Sequence, residues 1–253
     1  MLMLDRWIEH PSSPSELVLT WRAPAYVSDR KRWAVGRLFL EGGIAKFRYY
    51  NDEELLKLND KSRADLTSCG FSGYPAFDIT KQPTGGFASG VLEAFSRRLP
   101  PSNRTDFSKF LEHHRFREDK KLSTMEMLAL TEGRLPSDGF SLVDRLDPEA
   151  SVIEAVLEVA GYRHYPQTHS SLSIGDDVNL IPDDLNKFDP QAVKLCVDGN
   201  TIGYVNRFQA ETMRRWLSEK SVSAWLLRLN GQSGDPKAYI FVKVRPKQSF
   251  LAA

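Results

Sequence analysis

Hydrophobic positions along this chain fall mostly in short runs closed by Gly, Pro, Asp or Asn, the pattern of strands and turns rather than of long helices. Glu16-Leu17-Val18-Leu19-Thr20-Trp21 reads as a strand, Ser28-Asp29-Arg30-Lys31-Arg32 as a turn, and Trp33 to Leu40 as the next strand. Glu41-Gly42-Gly43 turns the chain again, and Ile44 to Tyr50 completes a three-stranded meander. Phe71 to Gly90 is rich in Gly, Pro, Ser and Thr and reads as a long surface loop. Its aromatics, Tyr74, Phe77 and Phe87, either anchor a partner or pack back onto their own domain. Thr105 to Arg117 is helical, with Phe107, Phe110 and Leu111 spaced for one buried face. Ser123-Thr124-Met125-Glu126 has the order of a capping box at the start of another helix.

The pattern restarts after Asp144 to Ala150, a charged, proline-bearing linker. Val152 to Val159 reads as a strand, and so does Val178 to Ile181, which ends at Pro182 before the acidic loop Asp183-Asp184-Leu185-Asn186-Lys187. Ala192 to Val197 sets apolar residues against Lys194, as a half-buried strand does. Asp198-Gly199-Asn200 supplies a hairpin turn, because Asp-Gly tolerates the positive φ that tight hairpins need. Thr201 to Val205 is the returning strand. A helix follows with Phe208, Met213, Trp216 and Leu217 on one face, ending near Lys220, and then come strands at Val222 to Leu229 and Ala238 to Val244. The expected fold class is α+β and β-rich. An irregular lead-in at 1–15 precedes a meander-plus-helices domain at 16–143, a linker at 144–150 and a second domain at 151–248. Five or six strands with one helix suit a small OB-like barrel in that second domain.

Composition narrows the function classes. With 253 residues, 41% hydrophobic and 26% charged, the chain has the make-up of an ordinary globular protein of two modest domains. No apolar run approaches the ~20 residues of a membrane span. Charged residues at Asp5 and Arg6 come too early for a secretory signal, so a cytoplasmic location is expected. Cys69 and Cys196 fit reduced thiols better than a disulfide or a zinc site. Residues 151–253 carry 12 basic and 11 acidic side chains, and residues 1–150 carry 22 of each. That balance argues against wrapping a long duplex, but gripping one or two nucleotides at a strand end needs only a few phosphate contacts. His113-His114 invites a metal reading, yet neighbours on a helix point about 100° apart and cannot chelate together. There is no nucleophile–base pair, carboxylate cluster or phosphate loop, so neither an enzyme nor a cofactor is expected.

The order Asn186-Lys187-Phe188-Asp189-Pro190-Gln191-Ala192-Val193, hairpin, Ile202-Gly203-Tyr204-Val205, amphipathic helix resembles the HIRAN domain. Gly161-Tyr162-Arg163-His164-Tyr165 and Gly175-Asp176-Asp177-Val178 are similar to upstream elements of that family. The resemblance implies an OB-like β-barrel in company with DNA-processing enzymes, and binding of the 3′ end of single-stranded DNA. Residues 16–143 more faintly resemble the N-terminal subdomain of HipA-type toxin kinases. A Trp-bearing strand, Val35-Gly36-Arg37-Leu38 and Phe47-Arg48-Tyr49 carry that likeness, with Phe95 to Arg104 and Gly139-Phe140-Ser141-Leu142-Val143. Pro101-Ser102 stands where that family has Glu-Gly, and no catalytic or metal-binding Asp motif follows, so the implied role is docking of a protein partner.

Single-strand recognition needs aromatic faces, phosphate-gripping cations and a polar group at the terminal hydroxyl. Matched to the family's pattern, Arg163, His164 and Tyr165 form one group, with His in place of an aromatic. Phe188 takes the place of a Tyr, keeping the stacking face and losing the hydroxyl. Asp189 is the natural acceptor for a 3′-hydroxyl and would repel a 3′-phosphate. Asn186 would bond a base or backbone, Arg207 a phosphate, and Tyr239 would be a second stacking face. Phe188 and Tyr239 fit a barrel core equally well, Asp189 a loop closure, and Arg207 a solvated helix start. The rival reading is a non-catalytic protein-interaction component of a toxin–antitoxin or phage-defence system. Convergence of Arg163, Tyr165, Phe188, Asp189 and Tyr239 on one groove would favour DNA, and dispersal would favour the rival.

Overall fold

Strands β1 (Glu16–Arg22), β2 (Arg32–Glu41) and β3 (Ile44–Tyr49) form the expected meander, and β4 (Phe140–Val143) joins it in an antiparallel sheet of order β3-β2-β1-β4. The computed structural model describes residues 6–24, 26–27, 31–135, 138–232 and 234–247. Ser28 to Arg30 of the expected basic turn lie outside them. Because β1 is central, Leu17, Val18, Leu19 and Thr20 are all buried, and the Thr20 hydroxyl is satisfied by Ser141 Oγ at 2.7 Å.

Between β3 and β4 run α1 (Asp52–Asn59), α2 (Arg63–Ser68), α3 (Val91–Ser96), α4 (Phe107–His113) and α5 (Thr124–Thr131). The Ser123 capping box forms as expected: Ser123 Oγ accepts from Glu126 N at 3.2 Å, and Glu126 Oε2 accepts from Ser123 N at 2.7 Å. The aromatics of the 71–90 loop pack inward. Phe71, Tyr74 and Phe77 are buried, Tyr74 stacks on Phe95 with centroids 4.7 Å apart, and the Tyr49 hydroxyl donates to Phe77 O at 2.6 Å. They hold their own unit together rather than present a partner surface.

The remaining elements are β5 (Ile153–Glu158), β6 (Asn179–Pro182), β7 (Val193–Val197), β8 (Asn200–Tyr204), α6 (Arg207–Glu219), β9 (Lys220–Gln232) and β10 (Asp235–Pro246). They make two three-stranded antiparallel sheets, β5-β10-β9 and β6-β7-β8. Isolated bridges tie the sheets at both edges, Asp177 to Trp225 and Ala160 to Tyr204. The strand order is therefore that of a ring, but ladder pairing is broken at both seams instead of running continuously around a barrel. Val193, Leu195, Ile202, Met213, Trp216, Leu226, Ile240 and Val242 fill the space between the sheets. The hairpin turn forms as the Asp-Gly pair predicts, with φ of 47° at Asp198 and 78° at Gly199.

The boundaries of the two units differ from the contiguous stretches expected. One unit comprises residues 13–107 and 121–145, and the other residues 1–12, 108–120 and 146–253. The reason lies on the outward face of β5-β10-β9, where Glu154, Trp225 and Phe241 alternate with inward residues and Phe241 is only 2% exposed. Such a face needs cover. The Arg6 guanidinium lies 3.4 Å over the Trp225 ring, Ile8 N donates to Arg115 O at 2.8 Å, and Glu154 Oε2 accepts from Glu9 N at 2.7 Å and His10 N at 3.3 Å. Residues 6–12 of the expected lead-in, and residues 108–120 with most of α4, thus belong to the C-terminal unit.

Candidate nucleic-acid interface

The loop between β6 and β7 is built around Asn186. Its Oδ1 accepts from Phe188 N at 2.9 Å and Asp189 N at 3.1 Å, and its Nδ2 donates to Asp183 Oδ2 at 3.4 Å. The side chain expected to contact a base is therefore used inside the loop. Asp189 Oδ1 in turn accepts from Gln191 N at 2.8 Å. The outcome is a fixed turn that lifts the Phe188 ring into solvent at 90% exposure, which removes the core reading for that residue.

Against this loop stands a pair of tyrosines. The Tyr204 hydroxyl donates to Asp183 Oδ2 at 3.0 Å, and the Tyr165 ring is 6.5 Å from that of Tyr204. Burial, then hydrogen bonding to Tyr165 and Asp183, pushes the Tyr204 hydroxyl well above the usual phenol range. Lys194 Nζ lies 3.9 Å from Asp183. Tyr165, Asn186, Phe188 and Asp189 are thereby joined through Asp183 and Tyr204, two residues that sequence reasoning passed over. The signal was hidden by a bulge: an undisturbed hairpin would pair Lys194 with Gly203, but the register shift at Leu195/Cys196 pairs Lys194 with Tyr204.

The other candidates are spread more widely. Arg163 and His164 sit in a 3-10 turn, Tyr162–His164, that follows Gly161 at φ 75°. Arg163 Nη1 is 3.9 Å from Asp235 at the start of β10. Arg207 opens α6, its guanidinium 4.7 Å over the Phe208 ring. Tyr239 is half-buried on the outward face of β10, beneath the Arg228 guanidinium at 4.3 Å, and so is not core. Contacts join Tyr165, Asn186, Phe188 and Asp189 into a tyrosine–loop cluster, while Arg163 meets Asp235, Arg207 meets Phe208 and Tyr239 packs with Arg228.

A family model described as the HIRAN domain matches residues 153–244. That stretch is a HIRAN domain. It spans β5 to β10, so both the tyrosine–loop cluster and Tyr239 lie within it, whereas residues 6–12 and 108–120 lie outside. Among solved structures, the HIRAN domain of human HLTF is 17% identical, with a TM-score of 0.30 over 36% of this chain and 74% of that one. A protein from Lactobacillus plantarum is also 17% identical, with a TM-score of 0.30 over 37% of this chain and 97% of that one. No curated protein matches the sequence. Among the described residues, no helix is long and apolar enough to cross a membrane.

Proposed function

We propose that the HIRAN domain binds single-stranded DNA at a free 3′ end, and that the protein acts by binding rather than by catalysis. The family match supports nucleic-acid binding, and the sequence resemblance adds the 3′ end. The observation that carries the finer reading is Phe188, 90% exposed on a loop braced by Asn186, directly before Asp189. An exposed ring costs apolar hydration unless something stacks on it, and a base is such a partner at about 1–3 kcal/mol. The loop also carries Asp183, Asp184 and Asp189, which favours a hydroxyl over a second phosphate at the terminus. Arg163 and Arg207 serve the phosphates behind it. The unit of residues 13–107 and 121–145 takes the protein-docking role that its sequence resemblance implies.

Fluorescence anisotropy with short oligonucleotides ending in a 3′-hydroxyl or a 3′-phosphate tests this. The free hydroxyl should bind more tightly; Phe188→Ala should weaken both, by about tenfold or more, and Asp189→Ala should erase the preference. Absence of binding at low salt, where phosphate contacts are strongest, would sink the DNA reading. The protein-interaction alternative has its own support, since Ile181, Leu185 and Phe188 are 44%, 90% and 90% exposed on one strand and loop.

A further inference from the structure

Helix α6 turns Ala210, Met213 and Trp216 into the core, all three fully buried, and the Trp216 indole donates to Pro148 O at 3.2 Å. Arg214 follows Met213 and so leaves the helix about 100° around from that buried face. Its guanidinium is spent on the loop between β6 and β7. Nη2 pairs with Asp184 Oδ1 on the limb that leaves β6. Nη1 donates to Pro190 O and Ala192 O, each at 3.4 Å, on the limb that enters β7. A guanidinium presents its donors in a fixed planar fork, so one side chain reaches a carboxylate and two carbonyls together.

Within itself the loop is closed by short backbone bonds. Asp183 N donates to Ala192 O at 2.9 Å at its base, and Ala192 N donates to Asp189 O at 3.0 Å, making a turn directly after the Phe188–Asp189 tip. The loop is tied to the rest of its domain on both sides of that tip. Before it, Asp183 takes the Tyr204 hydroxyl of β8 at 3.0 Å; after it, Arg214 of α6 takes two carbonyls of the turn. The Phe188 ring is 90% exposed, so its place is set by this backbone and hardly by packing of its own. A loop fastened on one side alone would leave the ring to be ordered each time a base stacks on it, and that ordering costs affinity.

We propose that Arg214 is a positioning residue for strand binding: from α6 it holds the turn after Asp189, so that the Phe188 ring meets the terminal base in one orientation, while the guanidinium itself stays on the loop and off the phosphates. The proposal rests on the end-binding reading above. Its charge faces Asp184 and its forked donors face the loop's own acceptors, which is the arrangement of a brace. A helix seated in the core is the rigid support that such a brace requires.

The test is a double-mutant cycle on the full chain, read by anisotropy with a 3′-hydroxyl oligonucleotide of about 10 nucleotides. Arg214→Gln should weaken binding about five- to tenfold and leave the slope of log K against log salt unchanged. Its thermal midpoint should stay close to native, because the partner carboxylate, Asp184, is 75% exposed and such pairs contribute little to stability. In a Phe188→Ala background the same substitution should cost nothing more, since the ring it positions is gone. Asp184→Asn, which leaves the two carbonyl contacts in place, should weaken binding less than Arg214→Gln does. A loss of equal size with and without the Phe188 ring overturns the proposal, and a slope shallower by about 0.7 would make Arg214 a direct phosphate contact instead. If Arg214→Gln binds as the native protein does, the brace is wrong while end binding stands. If the native protein does not bind the strand, both readings fall together.

Discussion

A Cβ on Gly203 would lie 2.5 Å from Val159 Cγ1 and 2.6 Å from the Ala160 carbonyl oxygen, at a φ of 148°. This glycine lets β8 approach close enough for the Ala160–Tyr204 bridge, and so sets where the Tyr204 hydroxyl meets Asp183. Gly203→Ala is expected to destabilise the fold by about 1–3 kcal/mol. It should also shift Tyr204 and weaken oligonucleotide binding beyond what lost stability explains. Thermal unfolding together with anisotropy checks it, and an unchanged midpoint would show that the seam can open at no cost. Single residues were legible where the rule is local. Asp198-Gly199 announced its turn and Ser123…Glu126 its cap, since each depends on neighbours within four positions. Asp183 and Tyr204 were not legible as a pair, because a bulge decides which strand residue faces the loop, and a bulge leaves no dependable mark in the alternation.

At the scale of elements, the same capping logic was present but unread at Asn51…Glu54 and Ser62…Asp65, where α1 and α2 begin. Both helices are short, and neither carries a periodic apolar stripe strong enough to declare itself without its cap. The strap of residues 6–12 escaped for a different reason. Its contacts are backbone amides given to a distant carboxylate and a guanidinium laid on a distant indole, which no local pattern encodes. Glu154 anchors that strap. Its side chain is 1% exposed, and burial alone would raise its pKa, but the ion pair with Lys243 and the amides of Glu9 and His10 outweigh burial and hold it below the ordinary glutamate value. The sign follows: this stabilisation is present above the ordinary value and disappears as pH falls through the depressed folded value. Glu154→Ala should cost about 3 kcal/mol at neutral pH, by leaving Lys243 and two amides without their acceptor. Glu154→Gln should flatten the acid limb of the stability profile. Urea unfolding across a pH series reads both, and an acid limb as steep as the native one would remove Glu154 from this role.

For the whole molecule, the balance of 34 basic and 33 acidic residues constrains how any nucleic acid can be held. A chain with a net charge of only +1 attracts little diffuse phosphate, so binding must come from individual guanidiniums placed by the fold. Arg163 and Arg207 amount to about two such contacts, and on a single strand each contributes about −0.7 to the slope of log K against log salt. The expected slope is therefore about −1.4. The stacking of a base on Phe188 is insensitive to salt and should persist as a floor when phosphate contacts are screened. Measuring affinity for a 3′-hydroxyl strand across a salt series decides between architectures. A slope of about −1.4 with a residual floor that Phe188→Ala abolishes means a small end-site assisted by a few cations. A slope several-fold steeper would mean that the unit of residues 13–107 and 121–145 supplies a phosphate track of its own. A flat profile would mean that the contact is apolar, and would move the exposed Ile181, Leu185 and Phe188 from the DNA site to a protein interface.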